Sequence, residues 1–248
     1  MGKHSHRDGW GRATVFIGLG RIAFYMYKSL SPIFVDKPSE PIPEPELAKY
    51  CDPIIVDLIH ARAGSRGMPL NYFSVQPFEV QARSGARLIL MHNGSVDRER
   101  LAKDLSNRVS REVIEKYSDT YLLTLKLAEL IGDEVDINVI KELSRYMKTA
   151  LNLGIVVISE NLVTAVFGSS YSKQLPRERW NYYKMYSARV GSNNLIFTSS
   201  TMVDFSEYRP KSLSRWEELP NGTYCFIKIK LKPDEEIEVL TEKYSIYS

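Results

Sequence analysis

Apolar residues change rhythm along this chain, and each rhythm marks an element. Residues 13–17 (Ala-Thr-Val-Phe-Ile) and 21–27 (Arg-Ile-Ala-Phe-Tyr-Met-Tyr) are rich in β-formers and flank Gly18-Leu19-Gly20, which predicts a hairpin. Residues 31–45 hold Pro32, Pro38, Pro41, Pro43 and Pro45, a stiff loop without ladder donors at those positions, followed by a short helix at 46–50. Residues 54–60 are mostly apolar and read as a central strand. Residues 71–78 look irregular. In residues 87–94 the run Leu88-Ile89-Leu90-Met91 suits a strand buried on both faces that ends at His92-Asn93-Gly94.

The middle of the chain switches to helical spacing. Residues 97–105 form a short candidate. Residues 118–131 are capped by Ser118 or Asp119, place Leu123, Leu127, Leu130 and Ile131 on one stripe, and stop at Gly132. Residues 136–151 put Ile137, Ile140, Leu143 and Met147 on one face and predict another helix. Strand rhythm then returns. Residues 153–158 and 162–167 flank Glu160-Asn161 as a hairpin, and residues 182–190 and 194–199 form a second pair. After a polar loop at 201–214 come residues 216–219, the turn Pro220-Asn221-Gly222, residues 223–231, and a final edge strand at 237–240. Strands, then helices, then antiparallel strands predict an α+β layered domain rather than a doubly wound one.

Composition narrows this without redirecting it. With 248 residues, 44% hydrophobic and 11% aromatic, the chain can fold as a single domain over 1–248 with a sizeable core. A net charge of +3 gives no case for a nucleic acid or a membrane surface as partner. The cysteines, Cys51 and Cys225, make no disulfide framework and suit a cytoplasmic chain. No apolar run approaches the ~20 residues of a membrane span. The start, with His6 at position 6, fits neither a secretory signal nor a myristoylation motif. The string Gly18-Leu19-Gly20-Arg21-Ile22-Ala23 hints at a dinucleotide loop. That motif must open a helix, and β-formers follow it here.

Candidate chemistry gathers at element ends. At His92-Asn93-Gly94 an amide with N–H donors and a glycine stand at the tip of a buried strand, which suits stabilisation of an oxyanion. Asn-Gly is equally a hairpin signal. Arg62 follows a strand and precedes a Gly-rich loop, as a carboxylate-binding guanidinium would, or as a surface ion-pair arginine would. Asp119 starts a helix, where Asp is a common cap.

These segments, taken in order, resemble the class II (N-terminal nucleophile) glutamine amidotransferases, in particular the small stand-alone predicted amidotransferases. The matching stretches are HRDGWG (6–11), HARAGSRG (60–67), QPF (76–78), MHNG (91–94) and YSDT (117–120). FTSSTM (197–202) and RWEELPNGTY (215–224) are similar to that family's closing strands. No single motif is specific; the ordered set, covering most of the chain, is.

The resemblance implies a four-layer αββα sandwich of two antiparallel sheets and a glutaminase activity: a cysteine thiolate attacks the side-chain amide of L-glutamine or a related γ-glutamyl amide, ammonia leaves, and water hydrolyses the thioester. It assigns Arg62 to the α-carboxylate, Asp119 to the α-ammonium, and Asn93 and Gly94 to the oxyanion hole. His92 belongs to the same substrate-binding set, as an orienting or core residue, like His60. Trp10 packs near the site, with Asp8 and Gly9 shaping its turn. It implies no cofactor and no metal. An ammonia-accepting synthase subunit or plain hydrolysis is open, and so is a homodimer.

The sequence departs from the family in one respect. In the family the nucleophile is the first residue of the mature chain, whereas this chain begins Met1-Gly2-Lys3 and its cysteines lie far from the start. The expectation is a domain lacking its first strand, with the nucleophilic cysteine absent from this chain: encoded upstream, or lost. In the second case the chain is an inactive module that binds glutamine or a partner. A missing strand would leave a gap beside residues 54–60 and 87–92, lowering stability or favouring dimerisation.

Overall fold

The computed structural model describes residues 6–36, 53–64, 71–204, 215–232 and 236–247. Strands β1 (Trp10–Gly18) and β2 (Arg21–Ser29) form the expected hairpin. Its turn residues Leu19 and Gly20 have φ of 50° and 63°, the mirror-image geometry that matches strand twist. With strand at 21–29, the dinucleotide-loop reading of residues 18–23 is excluded. Strand β3 (Ile54–Ala61) pairs with the other side of β1.

Next come β4 (Phe78–Gln81) and β5 (Arg87–Val96), then helices α1 (Arg98–Leu105), α2 (Arg111–Lys116), α3 (Asp119–Leu130) and α4 (Ile137–Ser144). The chain continues through β6 (Met147–Ile158), β7 (Leu162–Ser169), α5 (Arg177–Tyr183), β8 (Met185–Val190), β9 (Asn194–Ser199) and α6 (Ser200–Asp204). It closes with β10 (Glu217–Glu218), β11 (Thr223–Leu231) and β12 (Ile237–Ser245).

The sheets are antiparallel, ordered β12-β11-β7-β6-β5-β4, β2-β1-β3 and β10-β8-β9. The six-stranded sheet is apolar on both faces. Leu88, Leu90, Leu153 and Val157 pack on α1, α3 and α4 through Leu101, Leu123, Leu127, Ile140 and Leu143. Ile89, Val156, Ala165 and Phe167 pack on the other sheet layer through Ala13, Val15, Ile17, Val56 and Leu58. Each such Leu, Ile, Val or Phe side chain removed from water contributes roughly 1.5–3 kcal/mol. On the same side Phe197 of β9 stacks on Phe167 with ring centroids 4.8 Å apart. Helices α5 and α6 accompany the β8–β9 hairpin. The architecture is the expected α+β sandwich of antiparallel sheets with helices outside.

Several boundaries depart from the sequence reading. Among the described residues β3 is an edge strand, not a central one: Val56 and Leu58 face inward, while Ile55 and Ile59 are 54% and 49% exposed. Apolar residues on both faces made its pattern look continuous. Strand β5 does not stop at His92 but runs through Asn93-Gly94 to Val96 with a bulge, because β6 pairs along it as far as Val96↔Met147. That pairing also ends the helix expected over 136–151 at Ser144, and Met147–Leu151 joins β6. Tyr182 and Tyr183 belong to α5, not to a strand. The short helix expected at 46–50 lies outside the described residues. Among the described residues no single gap lies beside both 54–60 and 87–92, since β3 and β5 belong to different sheets and β5 is paired on both sides along Arg87–Leu90, with β6 alone beyond. Among the described residues both outer strands of the three-stranded sheet β2-β1-β3 have a free edge. No described helix is long and apolar enough to cross a membrane.

Candidate active site

Along β5 the side chains alternate. Leu88, Leu90 and His92 face the helices, whereas Ile89, Met91 and Asn93 face the second sheet layer. Leu58 of β3 packs in the same cluster as Met91 and reaches towards Gly154, the β6 partner of Met91. The end of β3, with His60 and Arg62, therefore overlies the end of β5, with His92 and Asn93. Asn93 is half-buried, and no described residue hydrogen-bonds its amide. Gly94 has φ of +147°, and a Cβ there would lie 2.1 Å from Ala150 O and 2.9 Å from His92 Nε2. Only glycine allows this approach.

Arg62 is 7% exposed. Its main chain is fixed by Arg62 N–H donating to Gly9 O at 2.9 Å and by Asp8 N–H donating to Arg62 O at 3.2 Å. Asp8 Oδ2 accepts Gly64 N–H at 2.6 Å. Gly64 leaves room for the guanidinium, because a Cβ there would lie 2.8 Å from Nη1. Burial lowers the Arg62 pKa against the opposing charge of Asp8. Asp8 and Gly9 thus shape the turn as expected.

Asp119 is the first residue of α3, and Ser118 is its N-cap, accepting Tyr121 N–H at 3.3 Å. The Asp119 carboxylate accepts Thr120 N–H at 2.9 Å and Val96 N–H at 3.2 Å, which ties it to the end of β5. Its charge raises the His92 pKa, but burial outweighs it and leaves that value lowered.

His60 stands between these groups. Burial, then the charges of His92, His6 and Arg62, depress its pKa to about 3. Although the residue as a whole is half-buried, Nδ1 is enclosed and has no hydrogen-bond partner among the described residues. His60 thus lies within electrostatic reach of both Arg62, the residue that follows β3, and His92 on β5.

The structure brings Arg62, His92, Asn93, Gly94 and Asp119 to one end of the sandwich. It does not bring the Trp10 side chain there. Trp10 lies on the outer face of its sheet, 5.1 Å from the Tyr27 ring, with Nε1–H donating to Asp36 Oδ2 at 2.9 Å. The expectation that Trp10 packs near the site holds only for its backbone, which starts the strand next to Gly9. Two residues given no role from sequence enter the site: Gln76 and Thr120 both hydrogen-bond around His92. Both lie inside the quoted motifs QPF and YSDT. A separate groove of about 840 Å³ lies at the opposite sheet end, near Gly85, Ile158 and Leu162. Its Lys228 is already paired with Glu134 at 2.7 Å, and no comparable constellation converges there.

No protein-family model and no curated protein matches the sequence. Among solved structures, the chain is similar to the glutamine phosphoribosylpyrophosphate (PRPP) amidotransferase from B. subtilis complexed with ADP and GMP. The identity is 16% and the TM-score 0.57, covering 98% of this chain and 44% of that one. This chain therefore spans under half the length of that protein. A glutamine aminotransferase class-II domain protein from Silicibacter pomeroyi aligns at 14% identity and TM-score 0.42 over 96% of this chain and 99% of that one. A predicted glutamine amidotransferase from Pseudomonas aeruginosa aligns at 15% and 0.34 over 91% and 87%. The likeness at TM-score 0.57 shows the fold, which is of the class II glutamine amidotransferase, N-terminal-nucleophile type.

Proposed function

We propose that this chain is the glutamine-binding body of a class II glutamine amidotransferase. Arg62 pairs with the α-carboxylate of L-glutamine through its planar guanidinium, and Asp119 receives the α-ammonium. The side-chain carbonyl then lies at the tip of β5. There Asn93 Nδ2–H and the Gly94 N–H stabilise the oxyanion that forms when a thiolate attacks. Collapse of that intermediate expels ammonia and leaves a γ-glutamyl thioester, which water hydrolyses to glutamate. The ammonia passes to a synthase subunit or is released. The observation that carries this reading is the convergence of Arg62, the Asn93-Gly94 pair and Asp119, from three separate segments, on one end of the sandwich.

The nucleophile is not Cys225. That thiol is fully buried in β11, three strands from β5, and burial raises its pKa. Cys51 lies outside the described residues. The burial of Cys225 favours a second reading, a glutamine-binding module without turnover.

Thermal melting with L-glutamine, D-glutamine and L-asparagine tests the binding half. L-glutamine alone should raise Tm, and Arg62→Lys or Asp119→Asn should abolish the rise. No rise at millimolar L-glutamine would refute the proposal. Ammonia release from the longest encoded chain then separates enzyme from binding module.

A further inference from the structure

The hydrogen bonds around His92 close into a ring whose every donor can be assigned. Ala150 O lies 3.0 Å from His92 Nε2 and can only accept, so Nε2 carries the proton. Nδ1 is then an acceptor, and the Thr120 hydroxyl at 3.2 Å donates to it. Having given up its one proton, Thr120 Oγ1 accepts from Gln76 Nε2–H at 3.3 Å. The other end of that amide, Gln76 Oε1, accepts the His92 main-chain N–H at 2.6 Å. Gln76, His92 and Thr120 are 8%, 2% and 3% exposed, so these bonds sit in a low-dielectric interior where a half-satisfied ring would be costly.

The ring joins the segments that form the candidate site. His92 precedes Asn93-Gly94, Thr120 follows Asp119, Ala150 lies on β6, and Gln76 ends the loop that leads into β4. Reversing any one donor breaks at least one other bond. A doubly protonated His92 would turn Nδ1 into a donor facing the Thr120 hydroxyl.

We propose that Gln76, His92 and Thr120 are positioning residues that together hold the Asn93-Gly94 tip at a fixed spacing from Asp119, with His92 locked as the neutral Nε2–H tautomer. His92 then touches no substrate and serves neither as ligand nor as general base. The titratable groups that act on it or feel its charge are Asp119 on α3 and His60 on β3. The service to an oxyanion hole rests on the amidotransferase reading; the tautomer and the ring do not.

The test is nitrogen-15 NMR of histidine-labelled protein combined with L-glutamine titration. The wild-type His92 ring should show the Nε2–H tautomer and no titration between pH 5.5 and 8. Thr120→Val should keep Nε2–H on Ala150 O but shift the Nδ1 resonance through loss of its donor and weaken L-glutamine binding about five- to tenfold, the worth of one buried hydrogen bond, and Thr120→Ser should restore both. An Nδ1–H tautomer, an ordinary titration near pH 6.5, or a Thr120→Val spectrum identical to wild type would overturn the proposal. Should Thr120→Val fail to fold, the wild-type spectrum decides alone. Failure of wild-type protein to bind L-glutamine with the tautomer intact would sink the functional reading and leave the ring standing.

Discussion

Gly94 and His60 show how single residues set the candidate site. Gly94 lets β5 approach Ala150 and present a main-chain N–H at the bulge, and a Cβ has no room there. Gly94→Ala should therefore cost about 3 kcal/mol or more of stability, read from urea unfolding, because strained backbone and a clash with a carbonyl act together. His60 makes the site sensitive to acid. Its folded pKa of about 3 lies below the unfolded value of 6.5, so the unfolded chain binds the proton first. Its contribution is complete above pH 6.5 and is lost as pH falls towards 3. Between pH 8 and pH 5 the loss is about 2 kcal/mol, and His92 and His6, also lowered, act in the same direction. Denaturant midpoints at the two pH values should show it, and His60→Asn should lose correspondingly less.

Helix α3 carries Asp119 and Thr120 into the site, and its start depends on Ser118. Ser118→Ala should cost about 1 kcal/mol in urea unfolding, with weaker L-glutamine binding because the first turn frays. This cap was legible from sequence, as were the hairpins β1–β2 and β6–β7, where alternation meets glycine or polar turn residues. The α4–β6 boundary was not. Ile137, Ile140, Leu143 and Met147 keep helical spacing, and only the pairing of Met147 with Val96 turns the chain into strand. Asn93-Gly94 was ambiguous for a related reason. Local chemistry permits a turn, and the neighbouring β6 extends the ladder through it instead. Arg62, Asn93, Gly94 and Asp119 could be picked out from motif order. Gln76 and Thr120 could not be given roles, because their importance lies in which atoms they meet. Trp10 sat in a matching motif, but strand alternation turns its ring to the opposite face.

At the scale of the whole molecule, two sheet layers share one apolar interface, and the site forms where their strand ends overlap. The layers differ in how they are secured. Strand β5 is paired on both sides along Arg87–Leu90, packed on both faces and fully buried at Leu88, Ile89 and Leu90. Strand β3 is paired only to β1 among the described residues and exposes Ile55 and Ile59. Amide hydrogen exchange should be far faster in peptides covering 54–61 than in those covering 87–93, and L-glutamine should slow exchange at 60–64. Equal protection of the two strands in the free protein would contradict that difference in anchoring. The crystal structure of this chain with L-glutamine tests the central claim most directly. It should show the α-carboxylate on Arg62, the α-ammonium on Asp119 and the side-chain carbonyl within hydrogen-bond distance of Asn93 Nδ2 and Gly94 N. Glutamine bound elsewhere, or an empty site at saturating concentration, would contradict it.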